Sequence, residues 1–168
     1  MSKFKQYTSI LILLIFILIL AITRGPNFLH NWKWEGKNLR PLSVINILTD
    51  EQYFIFGKNK KEIVLFWASW CGPCIVEFNR FKESVENGLL PADKIFVINP
   101  YESVESIARF AKRNKYPFQF ITDGGTLART IGIRVTPTTL LVKNGIIEAM
   151  STGVTPFGVR EARKFINN

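Results

Sequence analysis

Cysteine and histidine are scarce in this chain of 168 residues: two cysteines, at 71 and 74, and one histidine, His30. Two cysteines exclude a disulfide-stapled scaffold and a self-contained four-cysteine zinc site. A single imidazole excludes catalysis that needs two, and His-rich metal sites with it. Acid is scarce at the N-terminal end, where residues 1–40 carry six basic side chains and one acidic one. The whole chain has 22 basic and 13 acidic side chains for a net charge of +9, so about half of the excess flanks an apolar segment. A nucleic-acid surface concentrates its positive charge on the folded domain, and this distribution points away from nucleic acid as a partner. Repeats and low-complexity tracts are absent. With 47% hydrophobic and 21% charged residues, the chain is neither disordered nor collagen-like, and its length leaves room for one domain.

The most conspicuous feature is an apolar run from Tyr7 to Thr23, free of charge until Arg24. At 1.5 Å per residue it makes about 25 Å of helix, enough to cross a thin hydrocarbon core. Lys3 and Lys5 precede it, as in a signal peptide or an uncleaved anchor. Ala21 and Thr23 offer a poor cleavage site, so a retained anchor is expected. The expected organisation is a cytoplasmic N-terminus over 1–6, a transmembrane signal anchor in the lipid bilayer over 7–23, a juxtamembrane linker over 24–40 and a folded domain over 41–168. Arg24, Lys33, Lys37 and Arg40 follow the helix closely, so charge alone does not orient it. Phe28, Trp32 and Trp34 read either as an aromatic belt at the headgroups or as packing on the domain's edge.

Beyond the linker, short apolar runs alternate with helical ones. Segments 43–48 and 52–56 flank Thr49-Asp50-Glu51 as an N-terminal β-hairpin. The continuous apolar run 63–68 is a strand buried on both faces. Cys74, Phe78, Phe81 and Val85 recur at helical spacing, and Asn87-Gly88 ends that helix. A second buried strand over 94–99 leads to a helix with Val104, Ile107, Ala108 and Ala111 as its inward stripe. A strand over 118–122 and a short helix over 126–131 follow. Lys143-Asn144-Gly145 joins strands 139–142 and 146–149, because Asn-Gly tolerates positive φ. Thr155-Pro156 reads as the N-cap and first turn of a closing helix. The class is α/β, with a central mixed sheet flanked by helices.

The chemistry concentrates in Phe66-Trp67-Ala68-Ser69-Trp70-Cys71-Gly72-Pro73-Cys74. Two cysteines three apart, between a buried strand and a helix, make a redox pair. A thiol at a helix start faces unpaired N–H groups and the positive dipole end, which favours the thiolate, and Cys71 takes that place. Cys74 begins the inward stripe and is expected to be buried and less reactive. Attack by one thiolate and resolution by the other uses that asymmetry. Zinc lacks a second ligand pair and copper a nearby Met or His, so neither metal nor cofactor is expected.

Phe-Trp-Ala-x-Trp-Cys-Gly-Pro-Cys resembles the active-site segment of the thioredoxin superfamily. Gly132-Ile133-Arg134-Val135-Thr136-Pro137-Thr138-Thr139 resembles its cis-proline loop. The stretch from Val97-Ile98-Asn99 to 118–122 is similar to the central α/β insertion of the TlpA/ResA/DsbE-like membrane-anchored oxidoreductases, and Cys74-x-x-Glu77-Phe78 fits the same group. The resemblance covers about residues 7–166. It implies a thioredoxin-like fold, Cys71 as nucleophile, Cys74 as resolving thiol, and Pro137 in cis against the pair. It also implies that Trp70, Gly72, Pro73 and the backbone of Thr136 meet the substrate. Glu77, at the edge of the inward stripe, would be partly desolvated and able to exchange protons with Cys74; the bland alternative is a flank glutamate paired with Arg80 or Lys82.

There are departures from the pattern. Leu65 stands where thioredoxins proper carry an aspartate. Between the cysteines this chain has Gly-Pro where ResA-like proteins often have Glu-Pro, and the pair resembles that of reducing members. What the resemblance implies is a membrane-tethered thiol–disulfide oxidoreductase on the extracytoplasmic side of a bacterial inner membrane. Its implied partners are disulfide-containing proteins, such as apocytochrome c during cytochrome c maturation, and a membrane thiol donor of the CcdA/DsbD type. A tethered binding or chaperone domain and a dithiol oxidase are the alternatives.

Overall fold

The structure, a computed structural model, describes residues 2–168 without the side chains of 2–6 and Arg24. The charges expected on 1–6 and at position 24 therefore lie outside the described residues. The chain forms two compact units, one ending at Lys33 and the other running from Trp34 to Asn168.

The first unit is built on helix α1, Ser2–Trp34. Pro26 lies inside it, and a bend of 43° separates Tyr7–Thr23 from Gly25–Trp34. Proline removes an N–H and crowds the preceding turn, which accounts for a bend in this region. Among the described residues no single helix is long and apolar enough to cross a membrane; the bent pair reaches that length and composition only together. Its Ile, Leu and Phe side chains between 10 and 22 are exposed. The stretch 24–34, expected as linker for want of a period, is helical.

The second unit holds a seven-stranded mixed sheet. Its strands are β1 Leu42–Asn46, β2 Gln52–Ile55, β3 Lys61–Phe66, β4 Ile95–Ile98, β5 Gln119–Thr122, β6 Thr138–Lys143 and β7 Ile146–Thr152, in the order β2-β1-β5-β4-β3-β6-β7. β3 pairs parallel with β4 and β4 with β5, while β6 runs antiparallel to β3 and β7. The helices are α2 Gly72–Glu86, α3 Val104–Asn114, α4 Thr126–Ile131 and α5 Gly158–Asn167. Alternation along β3 divides the core. Ile63 and Leu65 join Phe78, Phe81, Phe110 and Phe165 from α2, α3 and α5. Val64 and Phe66 join Leu127, Ala128 and Ile131 from α4. Trp67 is fully buried against the rings of Phe78, Phe110 and Phe120.

The N-terminal hairpin and the strand–helix–strand stretch β4–α3–β5 occupy the places expected for them. Several local expectations change. Residues 36–39, placed in the linker, belong to the folded unit: Gly36 donates to Ile147 O at 2.8 Å and Leu39 to Gly145 O at 2.7 Å, with Leu39 buried. Trp34 is half-buried against the second core cluster, whereas Phe28 and Trp32 are exposed. Val104, expected on the inward stripe of α3, is exposed, and Phe110 takes the inward place. Finally, α5 starts two residues later than Thr155-Pro156 suggests. Phe157 is its N-cap, with no side-chain cap bond; Thr155 O instead closes a turn with the Gly158 amide at 3.2 Å and, with Pro156 O, accepts from Arg80.

Candidate active site

β3 ends in the middle of the sheet, and the chain leaves its C-terminal end toward α2. Trp67 N donates to Ile98 O at 3.0 Å, and Cys71 N to Ala68 O at 3.1 Å. Cys71 is the N-cap of α2, with extended backbone (φ −86°, ψ 96°), and its Sγ accepts from the amide of Cys74 at 3.2 Å. Gly72 and Pro73 supply the first turn, where proline lacks only an N–H that would have no partner in the helix. Cys71 and Cys74 are joined in a disulfide with Cα atoms 5.2 Å apart. The Cys74 amide and the N-terminal end of α2 thus face Cys71 Sγ.

Exposure is uneven around the pair. Cys74 is fully buried and Cys71 is 6% exposed, while Trp70 is 70% exposed and Gly72 and Pro73 are open to solvent. The Thr136–Pro137 bond is cis, and the Thr136 carbonyl oxygen lies 3.6 Å from Cys71 Sγ. The fold thus brings together Trp70, Cys71, Gly72, Pro73, Cys74, Thr136 and Pro137, although Thr136 lies 65 residues beyond Cys71 in sequence. Leu65, in the position of the thioredoxin aspartate, is fully buried in the same cluster as both cysteines.

Glu77 is buried and paired with Arg80. It sits one turn after Cys74 on α2 and is 2% exposed. Burial pushes its carboxyl above the ordinary range, and the Arg80 guanidinium at 2.8 Å pulls the other way without cancelling that rise. Arg80 also donates to Thr155 O at 2.7 Å and Pro156 O at 2.9 Å. It therefore ties α2 to the segment that leads into α5. Lys82 pairs with Glu86 instead.

Sequence reasoning missed Glu102. Its carboxylate accepts from the Ser69 amide at 2.7 Å, from the Ser69 hydroxyl at 2.5 Å, and from the Asn99 side-chain amide. Partial burial raises its pKa, but the Ser69 and Asn99 donors outweigh that and hold the carboxyl below its usual range. Asn99 Oδ1 in turn accepts from the amides of Tyr101 and Glu102. This network braces the loop that carries Trp70 and Cys71, and Tyr101 lies 6.0 Å from the Trp70 ring. A topological signal was available. β3 and β4 are parallel neighbours, so the residues leaving their C-terminal ends lie side by side, where open α/β sheets place their sites.

Comparison with known proteins agrees with this geometry. The Redoxin family model matches residues 48–166. Sporulation thiol-disulfide oxidoreductase A of Bacillus subtilis is 27% identical over 115 residues, 66% of this chain and 70% of that one. Thiol-disulfide oxidoreductase ResA of Geobacillus thermodenitrificans is 26% identical over 157 residues, 89% of this chain and 90% of its own. The crystal structure of StoA from Bacillus subtilis superposes with a TM-score of 0.63 at 25% identity, covering 76% of this chain and 98% of that one. With half of its length and more matched by one family model, and a cysteine pair capping the helix after a central strand, the chain belongs to the Redoxin family, in the TlpA/ResA-like part of the thioredoxin superfamily, whose members here are thiol–disulfide oxidoreductases.

Proposed function

We propose that this protein reduces protein disulfides on the extracytoplasmic side of a bacterial cytoplasmic membrane, tethered by the apolar part of α1. The observation that carries the reading is the Cys71–Cys74 pair at the start of α2, with Cys74 fully buried and Cys71 bordered by exposed Trp70, Gly72 and Pro73. The Cys71 thiolate attacks one sulfur of a substrate disulfide, forms a mixed disulfide and releases the first substrate thiolate. Cys74 then attacks Cys71 Sγ, closing the intramolecular disulfide and releasing the second substrate thiolate. Two electrons pass from the dithiol to the substrate. Glu77, one turn after Cys74 with its carboxyl raised by burial, takes up the Cys74 proton as that thiol becomes a nucleophile. The Thr136 backbone and the Trp70 face receive the substrate strand.

The charge-free run between Tyr7 and Thr23, with its apolar side chains exposed, supports the tether. The Gly-Pro pair between the cysteines supports the reducing direction. A reductant in an oxidising compartment must be recharged, which calls for a membrane thiol donor of the CcdA/DsbD type, and apocytochrome c cysteines are the substrate that the resemblance implies. Equilibration of the full chain in nonionic detergent against dithiothreitol and glutathione buffers tests the direction. A potential near about −270 mV sustains the proposal, and one near about −120 mV makes the protein an oxidant. Protease added to intact spheroplasts should digest the folded unit; full protection overturns the assigned side.

A further inference from the structure

Between α3 and the loop after β3 lies a groove of about 470 Å³, lined by Ser69, Glu102, Ser106, Arg109, Phe110 and Arg113. It adjoins the active-site loop at Ser69, two residues before Cys71, a separation of at most about 7 Å along the backbone. Arg109 and Arg113 are four apart on α3, so they share one exposed face. The single carboxylate of the groove is already occupied, since Glu102 accepts from the Ser69 amide and hydroxyl and from Asn99. Arg109 donates to Ser106 Oγ at 3.2 Å and lies in the field of Glu105. Arg113 makes neither an ion pair nor a side-chain hydrogen bond among the described residues. The groove therefore carries two cations against one satisfied anion, and it reaches the loop that carries Cys71 through Ser69. Guanidinium is planar, always charged and fitted to carboxylates.

We propose that this groove is a specificity subsite that takes acidic side chains of the protein substrate, an Asp or Glu two or three residues from the cysteine that Cys71 attacks. The inference rests on the dithiol reading above and deepens it. Phe110, buried beneath Arg109 and Arg113 in the helix, gives the subsite an apolar floor that strengthens charge pairing at its edge. Complementary charge beside a reaction centre sets partner choice and encounter rate more than final affinity.

The test uses the reduced full chain in nonionic detergent and two ten-residue peptides, each with one cysteine as its mixed disulfide with 2-mercaptoethanol. One peptide carries aspartate at the second and third positions on either side of the cysteine, and its twin carries asparagine there. Each rate is divided by the rate with dithiothreitol, which removes differences in intrinsic reactivity. The acidic peptide is expected to react about tenfold faster at low ionic strength, with the gap closing near 1 M salt, where the Debye length is about 3 Å. R113Q should lower the acidic-to-neutral ratio, R113E should invert it, and R113K should keep most of it. Equal normalised rates for the twins overturn the subsite, as does an R113E effect that slows both peptides in the same proportion. If neither peptide exchanges while dithiothreitol reduces both, the dithiol reading itself fails and the subsite falls with it.

Discussion

Replacing Arg80 by methionine should destabilise the protein by an amount that grows with pH. Arg80 pairs at 2.8 Å with the Glu77 carboxylate, which is 2% exposed, while its own side chain is 29% exposed. R80M takes the arginine donor from Glu77 Oε2 and from the carbonyls of Thr155 and Pro156, although Thr155 O keeps the Gly158 amide at 3.2 Å. Because Thr155 O keeps that amide and Pro156 is exposed, the lost carbonyl bonds cost about 1 kcal/mol together. Breaking a buried ion pair costs about 3–5 kcal/mol when the survivor stays charged; here the partial exposure of Arg80 reduces that, and Glu77 can escape by binding a proton. Burial already raises the Glu77 carboxyl above its ordinary value, and losing the guanidinium raises it further. A raised carboxyl favours the folded state below the ordinary carboxyl range, and that advantage is lost as pH rises through the raised value. The expected loss is therefore about 1 kcal/mol in acid, where Glu77 is protonated and only the carbonyl bonds are lost, and it rises toward about 3 kcal/mol as the pH climbs and Glu77 ionises. Urea unfolding of the full chain in nonionic detergent, followed by tryptophan fluorescence from pH 4 to 8, measures it. The double variant E77Q/R80M should lose this pH dependence. A loss for R80M that is flat in pH, or larger in acid, would refute the reasoning.

Three further outcomes follow from the packing. Phe78 is fully buried among the rings of Trp67, Tyr116, Phe118 and Phe120, so F78A should cost about 3–5 kcal/mol in the same urea assay. Donors hold Glu102 below the usual carboxyl range, so its contribution is present above that range and is lost as pH falls through the lowered value; E102Q should remove about 1–2 kcal/mol at pH 7 and progressively less as the solution is acidified. Gly145 has φ +80°, and an added Cβ would stand 2.9 Å from the Leu39 carbonyl oxygen, so G145A should lower stability by about 2 kcal/mol or more, whereas an unchanged urea midpoint would contradict the close approach.

Much of the framework was legible because period and turn chemistry are local. The run 63–68 reads as a strand with two buried faces, and β3 lies inside the sheet between β4 and β6. Asn144 and Gly145 both adopt positive φ, as their identities anticipate. Cys74, Phe78 and Phe81 fall on one buried stripe because a helix fixes their spacing. What escaped depends on partners distant in sequence. The Arg80 carbonyl contacts lie 75 and 76 residues away, at the segment where α5 begins later than Thr155-Pro156 suggests. Glu102 reaches Ser69 across 33 residues, through a neighbour relation that only the parallel pairing of β3 and β4 creates. The two readings of Glu77 could not be separated by spacing, since an inward carboxylate and an Arg80 partner are compatible when the arginine lies at the helix edge.

The segment between Trp34 and Leu39 has a consequence for handling the molecule. β7 is the last strand of its sheet, and a terminal strand with open N–H and C=O groups is a template for joining another chain. Here Gly36 and Leu39 donate to β7 and its turn, Ile147 donates back to Lys37 O at 3.0 Å, and Asn38 bridges Ile146. The stretch that leads from α1 into the domain thus doubles as a protective border. Any shortened version released from its apolar helix should keep this border, because a cut at residue 40 would leave β7 as an adhesive rim.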